Sequence, residues 1–598
     1  MENGTIAFKK AIFRLILLFL VRSIQFYTRF YPRFRMPSTY APFSRKSAFI
    51  TELVIIIGLA LFPLFVPLPY RVNIFLSWEG AYRISQGQVP YRDFGLPLGY
   101  GFWIVPALFF KIFGPYLVTL VKAQVFMNIL AGISFRSILK SLDVKPVIRV
   151  LSVLLFVLSY SFFNFWPWYN QTVIVYELIG LAFLFRYLMG PQTKIRFGYL
   201  FLAAFFTFLS FFTKQDGGGL ALLLSLALLA YNSLHEKRLW DVPLYLAFYG
   251  LVAAIFIVPF VPYGFGYWFN HGQAPHNSRL SLYDIISEVL YQSQWIKFYI
   301  VMMVLVLIPS FKQFKSYWQD KQAVLFTLLT LGILAESAIF QVTSYTPPDN
   351  NIFFHAFAFA FIASRLLDQL HIDLSKKVPF AGAALLVLLW WSGTFWKYMD
   401  KVTSRLLPHD ESVNKLPSLK ADTSFAAFEP TVSKTGENVV SRSNYMIEWD
   451  TTDVPTSKWI FSDLKSFKGI YMPPQTVEGM RKIMDLPVVK NHKPDLKVLN
   501  MTELTPLAAE MPYVPETGAD NPLWYHLGVG MFNKQLSVFT QKVRNQYYDV
   551  VLYEYAPENN NFFPFALRYE LEAHYKKVDV FLAPRRPTHA IIEVYVKE

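Results

Sequence analysis

The sequence predicts a polytopic α-helical membrane protein carrying a C-terminal soluble α/β domain. Three observations lead there. Of 598 residues, 54% are hydrophobic and only 16% charged, whereas a typical soluble chain carries roughly 25% charged residues. Apolar runs recur between residues 48 and 396 and then stop, and they are long enough to cross a hydrocarbon core of about 30 Å. The segment 397–598 instead mixes strand-like runs (548–555, 590–596) with a helix-like one (477–486), the mixture expected of an α/β unit. The chain has no cysteine, which excludes a disulfide scaffold, a thiolate zinc site and a cysteine nucleophile. Its net charge of +15 points to membrane topology and not to nucleic acid, because the lysines and arginines are spread over short loops.

Residues 1–47 come first. Lys9, Lys10, Arg14, Arg22, Arg29, Arg33 and Arg35 interleave with Leu, Ile and Phe, and no small-residue cleavage site follows. That pattern predicts a cytoplasmic amphipathic helix lying on anionic membrane lipid, not a cleaved signal. The membrane module, 48–396, is read as about eleven spans: 48–70, 115–140, 147–166, 170–189, 197–213, 217–233, 242–262, 297–311, 322–342, 351–368 and 378–396. The stretch 99–114 is interrupted by Pro106 and Lys111 and is short for a crossing, so it is expected along the surface. With that choice 24 basic residues fall on the side of the N-terminus and six on the other; counting 99–114 as a span destroys the asymmetry. The N-terminus is therefore expected in the cytoplasm, and the domain 397–598 in the periplasm of an inner-membrane protein.

This topology leaves two long outer loops, 71–114 and 263–296, and two short outer turns, 213–217 and 343–350. Chemistry is expected there, where irregular backbone lines water or protein. Phe163, Phe165, Trp166, Trp168 and Tyr169 mark the outer interface. The first loop carries Glu79, Ala81 and Tyr82, then Gly87, Pro90, Tyr91, Asp93 and Phe94, then Pro97 and Leu98 before an aromatic segment; Phe212-Thr213-Lys214-Gln215-Asp216-Gly217 forms a later outer turn. Over residues 48–396 the chain thereby resembles the multi-spanning glycosyltransferases of the GT-C fold that take a sugar from a polyprenyl phosphate, among them aminoarabinose transferases and protein O-mannosyltransferases. Two departures stand out. Trp78 occupies the place of one of the paired acids of many relatives, and Gly95 and Leu96 stand where several carry a phosphate-holding lysine.

The resemblance implies an inverting transfer of a hexose or pentose from a polyprenyl-phosphate donor to a hydroxyl of an envelope glycan, lipid or protein. Such a hydroxyl is a poor nucleophile, and a positioned carboxylate contributes about 10²- to 10⁴-fold. Glu79, alone or assisted by Asp93, is the candidate base. The lipid phosphate needs a cation, and Lys214 and Arg279 are available, with Asp216, His271 and His276 beside them. His271 and His276 alone make a weak metal pair, which leaves a divalent metal ion open as cofactor. Lys122, Glu177 and Glu336 share a depth of about 10 Å below the outer surface at 1.5 Å per residue; they are expected to meet, as a structural pair or as cavity lining. His355, one turn below Asn350 and Asn351, is a further cavity-lining candidate. The tail shows no Gly-rich phosphate loop and no Ser/His/Asp signature, so acceptor binding or cavity covering is its expected role. A lipid-linked glycan flippase or transporter, and a glycan polymerase or ligase, are the competing readings; against the transporter, no inverted repeat is visible.

Overall fold

The computed structural model describes residues 45–71, 74–96, 98–159, 166–266, 282–343, 353–370, 372–393, 395–396, 454–491, 495–511, 513–519, 521–523, 532–555, 564–585 and 590–597. The amphipathic segment expected before residue 45 lies outside them. The membrane module is built from α1 (Arg45–Leu61), α2 (Ile74–Ser85), α3 (Ile104–Phe113), α4 (Leu117–Ser141), α5 (Pro146–Ser159), α6 (Tyr169–Met189), α7 (Arg196–Thr213), α8 (Gln215–His235), α9 (Asp241–Ile257), α10 (Gln294–Phe311), α11 (Lys321–Thr343), α12 (Phe353–Gln369) and α13 (Lys377–Trp390). Among the described residues eight helical stretches of 18–25 residues are long and apolar enough to cross a bilayer. The other three expected spans correspond to α5, α12 and α13, of 14, 17 and 14 residues. The chain is thus an integral membrane protein with an α/β region after α13.

Two expectations are corrected. The first span does not run to residue 70: α1 ends at Leu61, a 3-10 turn covers Phe62–Phe65, and Leu68–Pro69 is a strand, β1. Prolines 63, 67 and 69 each lack a donor N–H and clash with a continuing helix. The segment after residue 71 is not an open loop either, because α2 runs through it and residues 74–83 are buried throughout. The stretch 99–114 is helical, a 3-10 turn at Tyr100–Trp103 leading into α3; the ten residues of α3 reach about 15 Å, half a hydrocarbon core.

The C-terminal region contains β2 (Ile460–Phe461), β3 (Ile470–Met472), α14 (Pro474–Asp485), β4 (Val498–Met501), α15 (Phe532–Arg544), β5 (Val550–Tyr555), α16 (Phe565–His574), β6 (Lys576–Leu582) and β7 (Ile591–Val596). One sheet has the order β4-β5-β7-β6, with β4 and β5 parallel. The other has the order β1-β3-β2, so the segment that follows the first span is itself a strand of the domain's sheet. Tyr70 extends this union: its N–H donates to Tyr471 O at 2.9 Å, and its hydroxyl donates to Glu503 O. Beneath that contact Arg585 is buried between Glu503 (3.1 Å) and Glu554, a triad that stabilises only while all its charges remain paired. One apolar core runs without a break from Trp78 and Trp103 into Phe467, Leu507 and Tyr553. The opposite end of the bundle is held by Glu52 between Arg136 and Arg149, and by Lys321 on Glu236 at 2.8 Å.

Candidate active site

Helix α2 lies between two layers. On one face, a Cβ on Gly80 would stand 1.9 Å from the Trp103 ring, so only glycine admits the 3-10 turn this close. Trp103 Nε1 donates to Leu76 O at 2.8 Å. That turn rests in turn on the end of α7, where a Cβ on Gly99 would meet Phe212 O at 1.3 Å. On the face toward the C-terminal domain stands Glu79. Arg83, one helical turn on, donates from Nε (2.9 Å) and Nη2 (2.7 Å) to the same oxygen, Oε1. Oε2 of Glu79 accepts no hydrogen bond among the described residues. Burial pushes the Glu79 carboxyl above the usual carboxylate range, and the Arg83 guanidinium opposes that rise. Arg83 also reaches Gln88 Oε1 (3.2 Å) and Glu516 O (2.7 Å), tying the helix to the domain. Glu79 and Arg83 line a narrow cleft of about 50 Å³, partly open to solvent, together with Phe75, Asn500, Thr505 and Tyr513.

The motif 87–95 has a different task. Tyr91 adopts φ +67°, a strained region for a bulky residue. Its surroundings hold it there: its hydroxyl donates to Leu98 O at 2.9 Å, and Phe260 and Phe265 meet its ring edge-on. Asp93 Oδ2 accepts from Val89 N at 2.7 Å and Oδ1 from Arg92 Nε at 2.9 Å. The hydrogen bonds from Arg92 hold its carboxyl below the usual range. Gly95 then bridges the domain, donating to Asn521 O (2.9 Å) and accepting from Leu523 N (2.8 Å). Asp93 therefore closes a docking turn, and Arg83 carries charge toward both acids.

Lys214 occupies the corner between α7 and α8 and is buried, with Nζ 2.9 Å from Asp216 Oδ2 and 4.7 Å over the Phe340 ring. Asp216 Oδ1 accepts from Gly217 N at 2.8 Å, so this carboxylate sits at the positive N-terminal end of α8. Glu177 of α6 and Glu336 of α11 are both buried and lie against each other, with Asp216 as a further charged neighbour. Their four carboxyl oxygens make no hydrogen bond of normal geometry among the described residues. The expected meeting of Lys122 with these acids does not occur: its ammonium lies 4.4 Å over the Phe113 ring. Equal depth does not make equal azimuth, and an aromatic face is an adequate partner for a cation. His355 is enclosed, with Nδ1 2.7 Å from Tyr299 Oη and the Trp295 ring edge-on.

Arg279, His271 and His276 lie outside the described residues, as does Pro97. Among the described residues no group of three acids or histidines is placed to hold a metal ion. No described cleft is lined by both Glu79 and Lys214. Arg83 was legible from its i,i+4 spacing to Glu79 on a helix, a pairing hidden by reading the segment as a loop. Thr505, Tyr513 and Asn521 had no signal of their own.

No protein-family model matches the sequence, and no curated protein does. Similar solved structures exist. ArnT from Cupriavidus metallidurans in the apo state is 12% identical, covering 92% of this chain and 98% of the other, with a TM-score of 0.46. The same protein bound to undecaprenyl phosphate gives 12% identity, the same coverage and a TM-score of 0.44. An oligosaccharyltransferase from Archaeoglobus fulgidus, in complex with Zn and sulfate, is 12% identical over 59% of this chain, with a TM-score of 0.36, and this chain spans about half of its length, 53%. At these scores none of the three assigns an activity to this chain.

Proposed function

We propose that the chain is a membrane glycosyltransferase, moving a sugar from a polyprenyl-phosphate donor to a hydroxyl acceptor at the outer face of the inner membrane, with its N-terminus in the cytoplasm. The observation that carries this reading is the Glu79 carboxylate, anchored through Oε1 by Arg83 and open through Oε2 to a cleft roofed by the C-terminal domain. Oε2 takes the acceptor's proton as the acceptor oxygen attacks the anomeric carbon. The bond from that carbon to the phosphate oxygen breaks with inversion, and its electron pair leaves on the polyprenyl phosphate. Undecaprenyl phosphate, the lipid bound in one of the similar structures, belongs to this class of leaving group. Lys214 balances the departing charge: Asp216 holds it at a helix N-terminus, a natural anion site, and exchanges with the donor phosphate. Arg279, His271 and His276 are proposed beside it as further phosphate ligands. Asp93 keeps the docking turn closed, and Glu177, Glu336, Lys122 and His355 belong to the bundle below. Because no described cleft is lined by both Glu79 and Lys214, the reading requires the two to come into one cavity when donor binds.

Purified protein in lipid nanodiscs, given defined polyprenyl-phosphate sugars and hydroxyl acceptors, tests this. Glu79→Gln keeps shape but accepts no proton, so turnover should fall about 10²-fold or more with donor affinity little changed. Lys214→Ala should weaken donor binding instead. Near wild-type turnover in Glu79→Gln removes Glu79 as base. The buried, unbonded Glu177–Glu336 pair favours one second reading, a lipid-linked glycan flippase; lipid transfer between leaflets with no glycosidic product would establish it.

A further inference from the structure

Three hydrogen-bonding groups along the cleft over α2 are unfilled. Glu79 offers Oε2. Thr505 lines the cleft 5% exposed, and its Oγ1 has no hydrogen-bond partner among the described residues. Asn521 donates its amide to Glu516 O and leaves Oδ1 without a described partner. A buried hydroxyl with nothing to bond, here on the wall of a cleft, is free to take a partner that enters it. Charge along the same walls is already balanced. Arg83 is bound to Glu79, and Glu516 is bound to Lys542 and accepts from Tyr548 Oη at 3.0 Å. An anion entering here meets the Glu79 carboxylate and no described cation that is not already engaged. A neutral molecule with several hydroxyls meets acceptors at Glu79 and Asn521, a hydroxyl at Thr505, and apolar walls from Phe75, Leu499 and Leu523.

We infer that this cleft is the acceptor subsite, that the acceptor end entering it is an uncharged saccharide, and that Thr505 and Asn521 from the C-terminal domain determine its specificity. The word acceptor rests on the transferase reading above; the binding chemistry does not. Glu79 Oε2 receives a hydrogen bond from one sugar hydroxyl, the one that becomes the nucleophile. Thr505 and Asn521 fix the ring by its neighbouring hydroxyls, so the domain selects which hydroxyl arrives at the base.

Saturation-transfer NMR on the full-length protein in neutral-lipid nanodiscs tests this, with glucose, galactose, mannose, arabinose and N-acetylglucosamine as probes and inorganic phosphate as the anionic control. At least one sugar should receive saturation in the wild type, and phosphate should not compete with it. Thr505→Val, which keeps shape and removes the hydroxyl, should weaken that sugar at least tenfold; Thr505→Ser should retain it. Asn521→Ala is the second variant should Thr505→Val not fold, and it should weaken the same sugar. No saccharide binding to the wild type, competition by phosphate, or binding unchanged in folded Thr505→Val or Asn521→Ala overturns the inference. Failure of the transferase reading looks different: saccharide binding sensitive to Thr505, with no transfer by the wild type. Conversely, wild-type transfer whose acceptor KM is unmoved by Thr505→Val leaves the transferase standing and removes the subsite.

Discussion

Glu79 and Arg83 act as one unit, because the charge that anchors the carboxylate also sets when it can accept a proton. Burial raises the Glu79 pKa and Arg83 opposes the rise. A general base works only in its ionised form, so activity should climb with pH through an acid limb lying above the usual carboxylate range. Arg83→Gln removes the guanidinium that lowers this pKa, so the limb should move further up in pH. A pH profile at saturating donor checks the sign, and a limb that stays or moves down contradicts it. Asp93→Asn is the informative contrast. Its carboxylate is occupied by Val89 N and Arg92, so the variant should leave the limb where it is and lower the melting temperature. If Asp93→Asn instead abolishes the limb, Asp93 is the base and Glu79 orients Arg83.

Helix α2, the 3-10 turn and the end of α7 form a stack whose spacing is set by residues without side chains. At Gly99 the neighbour is the Phe212 carbonyl, 1.3 Å from a built Cβ, and backbone cannot step aside as a flexible side chain can. Gly99→Ala should therefore cost several degrees of melting temperature or the folded protein altogether, through overpacking. Gly219 in α8 provides the control, since a Cβ there meets nothing within 4 Å. Gly219→Ala should be neutral or stabilising by up to about 1 kcal/mol, the usual preference for alanine in a helix. Scanning fluorimetry on both variants decides. Equal melting temperatures would mean that the close approach at residue 99 is not maintained in the membrane.

Among the described residues the C-terminal domain is joined to the membrane module at several places, including β1 on β3, Gly95 on Asn521 and Leu523, and Arg83 on Glu516. The C-terminal end of the first span and residues 74–96 therefore share one face of the membrane with the domain. The proposed orientation, which rests on the bias of 24 basic residues to six, makes that face the periplasmic one. Protease added to intact spheroplasts should then remove or nick the domain, while a tag at the N-terminus stays protected. Protection of residues 397–598 until the membrane is permeabilised would reverse the topology and move Glu79 to the cytoplasmic side.

Span position was legible in the chain because it is one-dimensional. Hydrophobic length needs no partner to be read, and a helix stands at each of the eleven expected spans. Glu79 was legible as a candidate by its chemistry. Its environment was not, because α2 carries Glu79 and Arg83 like a solvated segment, and one of the two layers that bury it is a domain hundreds of residues later in the chain. Lys122, Glu177 and Glu336 show the same division: their common depth follows from counting residues, while their azimuth follows from how α4, α6 and α11 rotate in packing. The cleft itself joins Thr505, Tyr513 and Asn521 to α2, and proximity across that separation is created by burial of a shared apolar core, a three-dimensional event with no local signature.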